Sequence, residues 1–472
     1  MNKIFNVVWS KTKNCWIVVS EFVATGGGKG KKVRRKKSGV VTASMAAMFM
    51  LFNAGIINAA FPPGPFFLLP SYVGNMKYGI DSGDNVKGNY NTVIGNYSGN
   101  NIGNWMAFTP SDYNSAFGNY SGNNVIGDHN IVVGDTSGNN VTGDSNAVSG
   151  NESGSQVWGN SNTVSGNNSG NNVGTFLKRS NSNTVTGNNS GNTVMGDSNT
   201  VSGNNSGNNV TGDSNAVFGN ESGSHVWGDS NMVTGNNSGN NVTGDSNAVS
   251  GNESGSQVWG NSNTVSGNNS GNHVGTLLKR SNSNTVTGNN SGNFVMGDSN
   301  AVSGNGSGNH VWGDSNAVLG NNSGNNVTGD SNTASGSDSG NQVRGHNNAV
   351  SGSDSGNQVT GNSNTASGDK SGTFVTGDNN TASGHTSGSF VTGNSNSASG
   401  DTSGNFVSGD SNTASGTQSG NFVAGDKNTA SGNTSGNFVT GNTNTASGTL
   451  TGNGVNGNAN TASGTATGNL VT

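Results

Sequence analysis

A valine, or an alanine in its place, returns along this chain at alternating intervals of seven and nine residues. Val141, Val148, Val157, Val164 and Val173 establish the beat, and Val439, Ala446, Val455, Ala462 and Val471 keep it to the end. The repeating unit is therefore sixteen residues, as in VTGDSNAVSGNESGSQ from Val141. A short fixed period means stacked coils, each touching only its neighbours, in place of one globular core. Counted from the first clear rung, Val86, the chain holds about 23 such units once three insertions are set aside. These add seven residues between Ile102 and Ala116, five between Val173 and Val185, and five between Val274 and Val286. The block that begins at Val141 recurs 101 residues later at Val242, so whole groups of coils have been copied.

Each unit carries two short strand signals of the form Asn-x-Val-x-Gly. Side chains alternate along a strand, so Asn146, Val148 and Gly150 share one face, while Ala147 and Ser149 take the other. The valine face is the candidate interior. Gly, Asn, Asp and Ser lie between the strands and supply positive φ and local side-chain hydrogen bonds at tight turns. Asp144 and Asn160 stand at equivalent places, which points to turn capping and not to charge. Only 28% of residues are hydrophobic and 81 are glycine, a composition that by itself reads as disordered. The period overrules that reading, because a narrow interior needs only one or two apolar residues per strand. The expected fold is all-β, a repetitive parallel β-roll or β-solenoid of sixteen-residue coils. With coils about 4.8 Å apart it would form a rod on the order of 110 Å long. So thin a core favours several chains packed side by side.

The first sixty residues are a different object. Seven lysines and arginines between Lys29 and Lys37 precede an apolar stretch, Val40 to Ala60, that ends in small residues. This is the pattern of a secretory signal, with Ala59 or Ala60 before the cleavage point; a permanent membrane helix is the alternative. The expected organisation is a cleaved signal over residues 1–60, a cap or linker over 61–85 and repeats over 86–472. The linker contains FPPGPFFLLPSY, from Phe61 to Tyr72, whose prolines forbid a regular helix or central strand. Cys15, the sole cysteine, lies in the signal, so the exported part has no thiol chemistry. That part carries 9 basic and 23 acidic residues, which argues against a nucleic-acid partner.

The leading segment MNKIFNVVWSKTKNCWIVVSEFV resembles the extended signal peptide of Gram-negative type V secretion, through Met1 to Ile4, Val8-Trp9, Trp16 and Val18 to Glu21. The resemblance implies export through the inner membrane and then use of an outer-membrane β-barrel. The repeats, for example NTASGTQSGNFVAGDKNTASG from Asn412, resemble the heads of trimeric autotransporter adhesins. This second resemblance spans roughly residues 75–472 and implies a left-handed parallel β-roll in a homotrimer. It also implies a place at the cell surface or outer membrane, or secretion, and adhesion to a host surface, to extracellular matrix or to itself. Two features depart from the family. Its coiled-coil stalk and membrane anchor have no counterpart before Thr472, which raises the expectation of a truncated, non-functional remnant. Its units are also slightly shorter than the seven-plus-nine spacing.

Residues one unit apart form columns along the rod. Phe374, Phe390, Phe406, Phe422 and Phe438 make an aromatic ladder on the parity opposite the valines, as either a packed interface or a ligand-binding stripe. Trp158, Trp227, Trp259 and Trp312 share that parity and admit the same two readings. The two five-residue inserts carry Phe176, Leu177, Lys178 and Arg179, then Leu277, Leu278, Lys279 and Arg280. They are candidate contact loops at one edge of the rod, or mere spacers copied with their block. No histidine stands at metal-ligand spacing, no catalytic constellation is signalled, and no cofactor motif is present. A non-enzymatic protein is expected, with no cofactor and no metal. An ice-binding solenoid is the alternative, because Thr365 with Ser367, Thr381 with Ser383, Thr413 with Ser415, and their successors form paired hydroxyl columns.

Overall fold

A computed structural model describes residues 5–10, 15–20, 73–103 and 110–472. The chain divides into two units, Met1–Leu69 and Pro70–Thr472. In the first, Phe5–Ser10 pairs antiparallel with Cys15–Ser20. The basic run, the apolar stretch and the proline-rich segment from Phe61 to Tyr72 lie outside the described residues.

The second unit is a parallel β-solenoid of about 24 turns, and no helix occurs among the described residues. From Val125 onward each turn contributes one strand to each of two long parallel sheets, and the turns before it contribute to the first alone. The first sheet runs from Met76–Tyr78 to Thr461–Thr465, and the second from Val125–Ile126 to Val455–Asn456. Every strand pairs with the strand one coil onward. Thr163, Val164 and Ser165 sit opposite Ala147, Val148 and Ser149 in the first sheet. Val157 and Trp158 sit opposite Val141 and Thr142 in the second. The inserts leave this register intact, since Thr163 pairs with Thr184, Thr264 with Thr285, and Thr92 with Ser115. Between Thr163 and Thr184, and between Thr264 and Thr285, the extra residues loop out whole.

The rung valines point inward from both sheets, as the alternation requires. Val141 and Val157 of the second sheet and Val148 and Val164 of the first are at most 1% exposed. Towards the C-terminus the first-sheet rung turns to alanine, at Ala366, Ala382, Ala398, Ala414, Ala430 and Ala446, while the second sheet keeps valine. Two aliphatic side chains per turn are a thin core, and polar ladders bury the rest of the interior.

The asparagine just before each first-sheet strand is the chief of these. Asn146 is 1% exposed, and its Oδ1 accepts both the backbone N–H and the Nδ2 of Asn162, each at 3.0 Å. Its own Nδ2 donates to the Gly159 carbonyl at 2.8 Å. A buried amide is tolerated only with its hydrogen bonds made, and this one meets three partners. A buried serine does similar work at the opposite turn. Ser190 donates its N–H to Ser169 Oγ at 3.3 Å and its hydroxyl to the Asn188 carbonyl at 3.0 Å.

The turns explain why aspartate and asparagine interchange. Asp128 N–H donates to Asp144 Oδ1 at 2.9 Å, and Asp144 N–H donates to Asn160 Oδ1 at 2.8 Å. Only an acceptor oxygen is needed, and both side chains supply one. Many positive-φ positions are not glycine: Ser145 has φ 61° and Glu152 φ 56°. Glycine is kept where backbone or core comes close. A Cβ on Gly154 would lie 2.7 Å from Val148 Cγ1.

The ladder begins ahead of Val86, because Met76–Tyr78 already pairs with Thr92–Ile94. Lys77 stands there at the rung position opposite Val93, and its ammonium donates to the Gly83 carbonyl. Its aliphatic stem lies where the open end of the core would meet water, with the charge held at the rim.

Two substitutions test the polar ladders. Asn231→Ala removes the acceptor of the Asn247 N–H, 3.0 Å away, and leaves a buried donor unmade. Such a loss costs about 1–3 kcal/mol, so hydrogen exchange at Asn247 should rise by about tenfold or more. Asp229→Asn keeps the acceptor for Asp213 N–H and should leave exchange at Asp213 unchanged, whereas Asp229→Ala should speed it. Equal protection in all these variants would contradict the ladder assignment.

Candidate functional site

Because both sheets turn their valines inward, each offers one outer face, and the two faces differ in chemistry. The first sheet presents alanine, threonine and serine, as in Ala147 and Ser149 or Thr163 and Ser165. In the C-terminal third this becomes a run of Thr-Ala-Ser strands, Thr413–Ser415, Thr429–Ser431 and Thr445 onward, with the hydroxyls in register. Ser431 Oγ donates to Ser447 Oγ at 3.3 Å.

The phenylalanine column runs along the second sheet, on the parity the sequence indicates. The five phenylalanines stack in one column, with ring centroids 4.7 Å apart from Phe374 to Phe390 and 4.9 Å from Phe422 to Phe438. Interplanar angles fall between 2° and 8°. The ring spacing is the coil spacing, so parallel in-register pairing alone forces the stack. All five remain substantially exposed, from 38% at Phe374 to 61% at Phe438. Phe406, Phe422 and Phe438 hold φ of 67°, 71° and 63°, a conformation costly for a bulky side chain. Beside the column runs a shallow groove of about 360 Å³, floored by Thr392, Ser408, Ala424 and Thr440.

The tryptophans share this face but do not stack on one another. They stand in the column after the rung valine, where Trp227 faces Thr211 and Thr243 in the neighbouring coils. Trp227 and Trp312 are more than half exposed, while Trp158 and Trp259 are partly covered. Trp312 walls a second shallow depression of about 360 Å³, with His310, Asn326, Gln342 and Arg344 around it.

Both inserts fold as compact loops at the same point of the coil. Thr175 donates its N–H to the Lys178 carbonyl at 2.7 Å, and Thr276 does the same to Lys279 at 2.7 Å. Lys178 and Lys279 return a bond to the threonine hydroxyl at 3.1 and 3.0 Å. The apolar pairs Phe176-Leu177 and Leu277-Leu278 are thereby held at the tips, with Leu177 94% and Leu278 98% exposed. Six coils, on the order of 30 Å, separate the loops along the rod. Neither loop meets the phenylalanine column, so the sequence candidates fall into separate places and do not converge on a pocket. The seven-residue insert around Trp105 lies largely outside the described residues.

Further aromatic stacks escaped the sequence reading. Tyr90, Tyr113 and His129 stack at 5.1 Å, and Tyr97 stacks on Tyr120 at 5.0 Å. The tyrosine pairs, 23 residues apart, stay hidden until the seven-residue insertion is subtracted. His273, Phe294 and His310 form another column, at 4.6 and 4.9 Å. Ion pairs among the described residues involve only exposed histidines, His346 with Asp330, and His385 with Asp369 and Asp401, and exposed pairs contribute little. No group of three His, Cys, Asp or Glu among the described residues could hold a metal ion.

The stack yields a prediction of its own. Phe406→Ala removes two stacked neighbours at once, each contributing about 0.5–1.5 kcal/mol beyond buried area. Local hydrogen exchange in the coils holding Phe390 and Phe422 should accelerate, while Leu177→Ala, at a loop tip where the side chain is 94% exposed, should leave its coil unchanged. Undisturbed exchange after the Phe406 substitution would show that the column contributes nothing to the coils.

Comparison with known families adds one match. Residues 1–51 match the model of the extended signal peptide of the type V secretion system. No curated protein and no solved structure matches the chain. The extended signal marks a protein exported by type V secretion in a Gram-negative bacterium, and the long parallel solenoid behind it is consistent with the head region of an autotransporter adhesin.

Proposed function

We infer that the exported rod is adhesive, attaching to host surfaces or to other copies of itself through many weak, equivalent contacts. One observation carries this reading: a type V export signal heads a chain whose surface is a set of exposed columns repeated coil after coil. The depressions beside the aromatic columns are shallow. Repetition converts low affinity per coil into avidity when many coils engage at once. The phenylalanine column, with its floor of small side chains, suits packing against an identical surface. A homotrimer with these columns at its interface would cover apolar area that a lone chain leaves wet. The cell surface or outer membrane is the proposed place of action, in keeping with the signal.

The in-register hydroxyl columns of the first sheet favour a second reading, an ice-binding surface. A flat, regular array of this kind can order water. Thermal hysteresis of the purified protein would establish that role, and its absence together with clumping would remove it.

The adhesive reading is tested by displaying the protein on a non-aggregating bacterium. Cells should clump or bind host matrix, and Phe390→Ser, Phe406→Ser and Phe422→Ser combined should abolish the clumping. Sedimentation equilibrium of the exported protein should give three times the chain mass, falling to one chain in the triple variant. Clumping or mass unaffected by the triple substitution would overturn the role given to the phenylalanine column. Display without any adhesion would overturn the function.

A further inference from the structure

We propose that the two insert loops are a paired anchor for an anionic lipid surface. In each, a leucine at the tip stands clear of the rod, Leu177 94% and Leu278 98% exposed. An apolar pair presented together at a loop tip and rimmed by charge has the make-up of an interaction site. Immediately behind the tips come Lys178-Arg179 and Lys279-Arg280. These four hold nearly half of the nine cationic side chains found after residue 60. At the base of each loop stands a tryptophan, its carbonyl accepting the N–H of the residue that leaves the loop. Ser180 donates to Trp158 and Ser281 to Trp259, both at 2.8 Å. In the first loop Trp158 also meets Phe176 edge-on, with centroids 5.6 Å apart.

The order of chemistry from tip to base matches the depth profile of a bilayer. Hydrocarbon takes the apolar tip, phosphates meet the cations, and tryptophan favours the boundary between apolar and wet layers. The surrounding rod is adapted to the same end. Along the adjoining turn column the carboxylates give way to amides beside both loops. Asn160 and Asn181 follow Asp144 and precede Asp197, and Asn261 and Asn282 follow Asp245 and precede Asp298. Among the described residues no carboxylate pairs with any of the four loop cations. Their charge is left for an external anion, on a protein that is otherwise acidic. Two loops at equivalent points of the coil, on the order of 30 Å apart, reach one plane together and bind bivalently.

The proposal names one partner for the adhesive surface and rests on that reading only in placing the rod outside the cell. The test is cosedimentation of the exported protein with vesicles of phosphatidylserine and phosphatidylcholine, against phosphatidylcholine alone. The protein should bind the anionic vesicles, and added salt should weaken binding. Leu177→Ser with Leu278→Ser should reduce it by about tenfold or more, and so should exchanging Lys178, Arg179, Lys279 and Arg280 for glutamine. The loops project from an intact ladder, so circular dichroism of both variants should match the parent. Equal binding to both vesicle types, or variants that bind like the parent, would overturn the proposal. So would loss of clumping in the leucine variant without loss of vesicle binding, which would assign the loops to a protein partner. Failed vesicle binding with clumping intact sinks the lipid proposal alone, and failed clumping with vesicle binding intact sinks the adhesive reading alone.

Discussion

One amide per coil fixes the rod. The asparagine opening each first-sheet strand is buried, and it bonds to the next coil through backbone and side chain at once, as Asn146 does with Asn162. Those bonds exist only if consecutive coils stack in register, so a slip of one residue would bury an asparagine with no partner. Desolvation of an unpaired amide makes that slip costly. The valines supply the apolar part of the interior but do not discriminate among registers as sharply, since any inward aliphatic side chain would fill the same space. Alanine does so at Ala382 and Ala414. The register therefore comes from the polar ladders and the dryness from the valines.

Everything on the outside follows from that register. A side chain repeated at sixteen residues becomes a column at the coil spacing, whatever its chemistry. Phenylalanine gives a stack, hydroxyls a row, and aspartate or asparagine a chain of turn caps. A single substitution in one unit changes one rung, and copying of blocks multiplies it. A solenoid of this kind supplies a surface in which local affinity is small and number is large. The insert loops are the exception, because they escape the ladder and so can carry side chains that the coil has no room for.

Much of this was legible in the chain. The seven-and-nine beat gave the coil, the inward valines and the outward parity of Phe374 and Trp158, because a strict period admits only one stacking. The exchange of Asp144 with Asn160 gave the turn caps. The alternation put Asn146 on the valine face, but what satisfies its amide there was not legible, nor was the burial of Ser153. Composition marks both as surface residues, and only the pairing of neighbouring coils satisfies them. The start of the ladder at Met76 was hidden for a related reason: Lys77 fills the rung, so the valine beat is silent there. The tyrosine stacks were hidden by an insertion that displaces the period.

The most direct test is disulfide mapping between coils. Thr413 and Thr429 face each other in adjacent strands, within the reach of a disulfide when both are replaced by cysteine. The exported part has no native cysteine to interfere. Under mild oxidation, T413C with T429C should close within a single chain and shift its mobility, while T413C with S431C, two residues out of register, should stay reduced. A closed out-of-register pair, or a T413C–T429C pair that remains open, would contradict the stacked sixteen-residue coil.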